Sequence, residues 1–182
     1  QNARRTLRAS VAAFADSEGG APRRAGILEQ VRGLFGWRAV WKPAGAERSA
    51  YITVDRLGAP RCAGGMCATL RDLARVGQWM IETKTAFLED LERNGDPQAW
   101  AAGDLVQYYP GLPMRYRNQW YLLDGAAPLA FGMGIHGQNL FVDRLNGIVI
   151  AKLSSQALPL DAARMALTMR AVSEIRKRLA HE

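Results

Sequence analysis

The stretch Gly132–Met133–Gly134–Ile135–His136–Gly137–Gln138 is the segment of this 182-residue chain best suited to chemistry. Glycines at alternate positions bare the backbone entering a strand and let a ligand approach the main-chain amides. A histidine among them could bind or orient a substrate carbonyl or carboxylate. Equally, it could cap local carbonyls at a glycine-rich strand entry, and spacing alone leaves both open. A second loop, Ala63–Gly64–Gly65–Met66, precedes a capped helix and could line a pocket with its backbone, although Gly-Gly before a helix is common. The aromatic group Tyr108, Tyr109, Tyr116, Trp120 and Tyr121 reads as core and loop packing rather than a ligand wall.

Several ordinary catalytic templates are missing. No G-x-S-x-G elbow, phosphate-binding P-loop or H-E-x-x-H helix occurs. None of the six serines is followed by lysine three residues later. Ser173-Glu-Ile-Arg176 comes nearest, but arginine stays protonated and cannot serve as the base. The only cysteines are Cys62 and Cys67, and the only histidines His136 and His181. That is too sparse for a metal site, and the expectation is no metal and no cofactor.

The elements that would position these residues are read from composition and periodicity. A 20.0 kDa chain suits one domain or a large piece of one, with 48% hydrophobic and 23% charged residues, as in ordinary globular proteins. No apolar run approaches the ~18 residues needed to span a bilayer. Against 17 acidic residues stand 24 basic ones, for a net charge of +7. Those basic residues are scattered rather than gathered on one face, so no nucleic-acid partner is expected. Gln1–Ala13 lacks a continuous apolar signal-peptide core, which makes cytoplasmic the expected location.

Ile27, Leu28, Val31, Leu34 and Phe35 fit one short helical stripe. Ala50–Asp55 alternates like a strand. Thr69 with Asp72 predicts a reciprocally capped helix over Leu70–Ile81, and a second helix follows over Ala86–Arg93, ended by Asn94–Gly95. Asp104–Tyr116 reads as loop. Strands are expected at Gln119–Leu123, Asn139–Asp143 and Ile148–Leu153, the last two joined by a tight Asn146–Gly147 turn. A final helix over Leu160–Leu179 should bury Met165, Met169, Val172, Ile175 and Leu179. Three strands and a packed helix give an antiparallel sheet of α+β class, resembling the closing half of a larger fold.

From Trp41 onward the sequence resembles the beta-lactamase-like serine hydrolases, and within them the aminohexanoate-dimer (nylon-oligomer) hydrolase branch. Four stretches carry the likeness. They are Trp41–Lys42–Pro43 leading to Ala50–Asp55, then Ala63–Gly77, then Tyr116–Arg117–Asn118–Gln119–Trp120–Tyr121, and last Gly134–Asp143 followed by Ile150–Ser155. The resemblance implies the C-terminal part of a beta-lactamase/transpeptidase-like fold, with an antiparallel sheet and packed helices over residues 39–182. It also implies ester or amide hydrolysis of a small-molecule substrate through an acyl-enzyme. In such enzymes a serine of an S-x-x-K motif attacks the carbonyl, and a lysine and a tyrosine move the proton. Ile135–His136–Gly137 takes the place of the family's third motif at the pocket edge. Amides of Gly137–Asn139 would then serve an oxyanion hole, and Trp120 would border the acyl site. The substrate-binding set so implied is Ile135, His136, Gly137, Gln138, Trp120 and Tyr116.

Residues 1–38 do not match the family, as a frameshift or a mis-set start in a GC-rich gene would leave them. The S-x-x-K motif and the catalytic tyrosine motif belong upstream of Trp41, and neither is found there. The expectation is a chain with no catalytic residue of its own, inactive alone. It would be weakly stable and prone to self-association through an exposed sheet edge. The alternative is a binding module that reuses this half-fold.

Overall fold

Thr69 opens the first long helix through contacts between residues three apart. The computed structural model that shows them describes residues 37–53, 56 and 65–180. The Asp72 amide donates to the Thr69 hydroxyl at 3.1 Å, and that hydroxyl donates to the Asp72 carboxylate at 2.8 Å. One amide that a helix start leaves free is thereby satisfied. Helix α1 runs Leu70–Glu82, close to expectation. The return half of the expected cap is replaced: the Asp72 carboxylate accepts the amides of Glu47 at 2.9 Å and Arg48 at 3.2 Å instead.

The chain divides into two units between Trp79 and Met80. In the first, a π-helical turn at Trp37–Trp41 buries the Trp41 ring against Ala50, with Ala46, Ala68 and Val76 beside it. The Trp41 indole donates to the Arg48 carbonyl at 2.9 Å. Strands β1 (Tyr51–Ile52) and β2 (Met66–Cys67) pair antiparallel. The Ile27–Phe35 stripe, the first half of the Ala63–Met66 loop, Cys62, His181 and the end of the Ala50–Asp55 strand lie outside the described residues.

In the second unit α2 spans Ala86–Arg93, as the periodicity and its stop signal predict, with Thr85 accepting the Leu88 amide at 3.2 Å. Helix α3 (Pro97–Ala101) follows at once, capped by Asp96 with proline in its first turn. The region expected as loop over Asp104–Tyr116 is partly ordered. It contains a 3₁₀ turn at Asp104–Tyr108 and the start of strand β3.

The sheet has five strands where three were expected, which keeps the α+β class and enlarges it. Strands β3 (Met114–Arg117), β4 (Trp120–Leu123), β5 (Leu129–Gly134), β6 (Gln138–Asp143) and β7 (Ile148–Lys152) pair in sequence order, all antiparallel. The β6–β7 connection is four residues long rather than a two-residue Asn146–Gly147 turn. The Asp143 carboxylate explains this, accepting the Asn146 backbone amide at 3.0 Å and its side-chain amide at 2.8 Å. Cross-strand neighbours Tyr121, Phe131 and Phe141 form a ladder of rings with centroids 5.4 and 5.3 Å apart. Trp100, Tyr109 and Val172 complete the core on that face. The aromatic group is thus mainly core.

Helix α4 spans Ala162–Leu179 and departs from its expected stripe. Val172 is buried and Met165 and Met169 partly so, but Ile175 and Leu179 are 39% and 47% exposed. At this end the helix meets the sheet through Arg176 instead, whose guanidinium reaches Asp143 at 2.7 Å and the Ala127 carbonyl at 2.5 Å.

Candidate functional site

Antiparallel registers bring three connections to one end of the five-stranded sheet: the β3–β4 hairpin, the β5–β6 turn and the exit from β7. The β5–β6 turn is Ile135–His136–Gly137, with His136 at φ 59° and Gly137 at φ 83°. Consecutive left-handed residues reverse the chain sharply, and glycine is favoured at the second. A Cβ on Gly137 would stand 2.5 Å from the Gln156 side-chain amide.

The segment leaving β7 holds this turn from one side. The His136 amide donates to the Pro159 carbonyl at 3.0 Å, and the Gln156 amide donates to the His136 carbonyl at 3.2 Å. The imidazole Nδ1 lies 2.8 Å from the Gln156 carbonyl. Lys152 Nζ donates to the Gly137 carbonyl at 2.7 Å. Burial, with the positive charge of Arg164, holds the Lys152 ammonium below the usual lysine range. Gln138 spans to Ser154, its Oε1 accepting the Ser154 amide at 3.0 Å while its Nε2 donates to the Ser154 carbonyl. Beneath the turn the packing is nearly closed, with a void of about 10 Å³ between Gly137, Asn139, Lys152 and Gln156. The turn is therefore a rigid surface feature rather than the floor of a deep pocket.

The other two sequence-predicted residues sit on the β3–β4 hairpin, at the same end of the sheet. Tyr116 pairs with Tyr121 and Trp120 with Arg117, which places Tyr116 and Trp120 on opposite faces. Tyr116 is 46% exposed with its ring 4.8 Å from that of Tyr121, and burial pushes its phenol up. Ile135, His136, Gly137 and Gln138 are thus one local unit, whereas Tyr116 and Trp120 share the hairpin at this end of the sheet but not a face. Sequence reasoning missed Lys152 and Gln156, whose roles arise from a crossing 15 to 20 residues away along the chain.

A separate cleft of about 450 Å³ opens on the other face of the sheet, lined by Leu88, Leu91, Leu122, Ala130, Val142 and Arg144. Its walls come from the end of α1, from α2 and from four strands, so no local pattern announces it. Among the described residues no group of three or more His, Cys, Asp or Glu is assembled for a metal ion. Nor is any described helix long and apolar enough to cross a membrane.

The chain is 35% identical over 142 residues to a 6-aminohexanoate-dimer hydrolase of Paenarthrobacter ureafaciens, covering 71% of this chain and 36% of that protein. A solved structure from Bacillus anthracis, provisionally named a 6-aminohexanoate-dimer hydrolase, superposes with a TM-score of 0.63 at 24% identity. That superposition covers 85% of this chain and 41% of that one, and shows a shared fold. The chain thus spans well under half the length of either. No protein-family profile matches it.

Proposed function

Because this chain carries a beta-lactamase-like C-terminal portion related to a 6-aminohexanoate-dimer hydrolase, we propose that it forms one wall of an acyl-transfer pocket for a small ester or amide. The relationship to a hydrolase over 142 residues carries this reading. The rigid Ile135–His136–Gly137 turn supports it, since pinned backbone is what a site needs to hold a carbonyl without reorganising. The wall comprises Ile135, His136, Gly137 and Gln138; Trp120 and Tyr116 of the neighbouring hairpin face opposite sides of the sheet, so only one of them can border it.

The nucleophile is not part of this wall. None of the six serines has the lysine spacing of an S-x-x-K motif, and a catalytic group that acts as a unit loses many orders of magnitude when members are absent. The chain by itself therefore binds acyl substrates without turning them over. Incubation with a fluorophosphonate, which labels activated serines, should leave its intact mass unchanged. A stoichiometric adduct mapping to any of the six serines would overturn the proposal.

A further inference from the structure

Helix α4 runs antiparallel to β7 and leaves an apolar flank along that strand. Its Arg176 reaches Asp143, the register partner of Ile148. At the other end Thr168 lines the small void beside Lys152, and Arg164 bears on the Lys152 ammonium. Ala171, Ile175 and Arg178 continue that row at three- and four-residue steps, so they stand on the same side of the helix. Leu167, Ala171, Ile175 and Leu179, four residues apart, form an exposed ridge there. Beside it the outer side of β7 pairs with no strand among the described residues, and Lys152 is engaged by the Gly137 carbonyl. Apolar surface next to an unpaired strand edge marks an interface.

We propose that this surface is a two-fold interface with a second copy of the chain, formed by α4 and β7 together. Strand β7 pairs antiparallel with its counterpart about Ile150, which sets Val149 opposite the partner's Ala151 and prolongs the sheet. The same axis passes Ala171, about midway along α4 between Arg164 and Arg176. A small residue at the crossing lets the two helices approach, and Leu167 meets the partner's Ile175. Charge selects a second copy as the occupant. Asp161 and Arg164 stand at the start of α4, and Glu174 and Arg178 near its end. Antiparallel helices bring Arg164 to the partner's Glu174 and Asp161 to the partner's Arg178, twice over by symmetry, with their dipoles favourably opposed. Each acid already has a cation three residues on in its own helix, Asp161–Arg164 at 3.4 Å and Glu174–Lys177 at 2.7 Å. The cross-pairs therefore tune an interface that the apolar ridge and the strand provide.

Sedimentation equilibrium of the whole chain should fit a monomer–dimer equilibrium with no larger species, because the axis consumes the bare edge. In a background carrying Cys62→Ser and Cys67→Ser, mild oxidation should link Ala171→Cys into a disulfide dimer. Ser173→Cys, on the opposite side of α4, should stay monomeric under the same treatment. Arg164→Glu should weaken the dimer about fivefold, and adding Glu174→Arg should restore it. Circular dichroism should be the same for every variant, all of which change exposed positions of α4.

A chain that stays monomeric up to the limit of its solubility would overturn the proposal. So would open-ended growth with concentration, which belongs to a head-to-tail contact instead of a closed two-fold one. Cross-linking through Ser173→Cys as readily as through Ala171→Cys would also overturn it, as would a dimer indifferent to the Arg164 and Glu174 exchanges.

Discussion

The two edges of the five-stranded sheet are built on opposite principles. At the β3 edge, Arg115 and Arg117 alternate with Met114 and Tyr116 along the strand. Arg115 binds the Asp124 carboxylate through both Nε and a terminal nitrogen, at 2.8 to 3.0 Å, and donates to the Glu92 and Asn94 carbonyls. Arg117 pairs with Asp90 at 2.7 Å. The backbone at Gly95 lies so near that a Cβ there would stand 3.1 Å from Arg115 Cβ. Charge and a covering segment blunt this edge, two devices that suppress strand addition. The β7 edge reads Ile148–Val149–Ile150–Ala151–Lys152, and Lys152 turns to Gly137 instead of guarding it. Among the described residues no strand pairs with its outer side. An apolar edge without charge, proline or bulge is a template for another strand, so pairing at β7 is the partner we propose for this chain.

The largest test of this contrast lies beneath the β7 edge. Asp143 is fully buried at the end of β6, and Arg176 is largely buried against it at 2.7 Å. Asp143→Ala would strand that guanidinium and free Asn146, costing about 3–5 kcal/mol in urea unfolding. A loss below about 1 kcal/mol would show that water already screens the pair. The β3 counterpart should be milder: Arg115→Met removes charge-assisted bonds from a site near the surface and should cost about 1–3 kcal/mol by the same measurement.

Acid separates the carboxylates from the apolar contacts. Burial alone would raise the pKa of Asp143. The two Asn146 hydrogen bonds and the Arg176 guanidinium outweigh it and hold the group below the usual range. Asp72 behaves likewise, with the amides of Glu47 and Arg48, the Thr69 hydroxyl and Arg75 overcoming burial. A carboxylate with a lowered folded-state pKa adds stability that is present above its unfolded value of about 3.9 and disappears as pH falls through the folded one. The melting temperature should therefore drop steeply below about pH 4, and less steeply in Asp143→Ala. A flat profile in both would remove these carboxylates from the account.

Association tests the edge itself. Sedimentation should show the chain self-associating with rising concentration, whereas Val149→Lys, which places charge on the apolar edge, should remain monomeric with an unchanged circular dichroism spectrum. Equal behaviour of the two would place the contact elsewhere. The smallest effect belongs to the β3 hairpin, where Asn118 and Gln119 hold φ values of 51° and 67°. Glycine suits such a turn better than glutamine, so Gln119→Gly should raise stability by about 1 kcal/mol.

Local signals were legible where they were self-contained. Helix α2 was readable to the residue from its local pattern and the Asn94–Gly95 stop, and the structure adds the Thr85 cap at its start. Strand β3 was hidden behind Pro110, Gly111 and Pro113, and its hairpin turn uses a glutamine at positive φ that no propensity suggests. Strand β5 was obscured by Gly132 and Gly134. The second is there for space, since a Cβ would meet that of Gln138 at 3.0 Å. The same glycines that hid the strand drew attention to the candidate site, so Ile135–Gln138 was found as a segment before its geometry was known.

Composition and periodicity by themselves determined the α+β class, helices α1 and α2, and the chemical singularity of the Gly132–Gln138 stretch. Each depends on neighbours within a few residues. Only the tertiary structure decided that Arg176 rather than Ile175 anchors the end of α4, that Tyr116 and Trp120 face opposite sides of the sheet, and that the His136 ring meets the Gln156 carbonyl. Those outcomes depend on which distant groups meet. A carbonyl 20 residues away holds the His136 ring, and a carboxylate 33 residues away draws in Arg176; spacing along the chain carries no record of either.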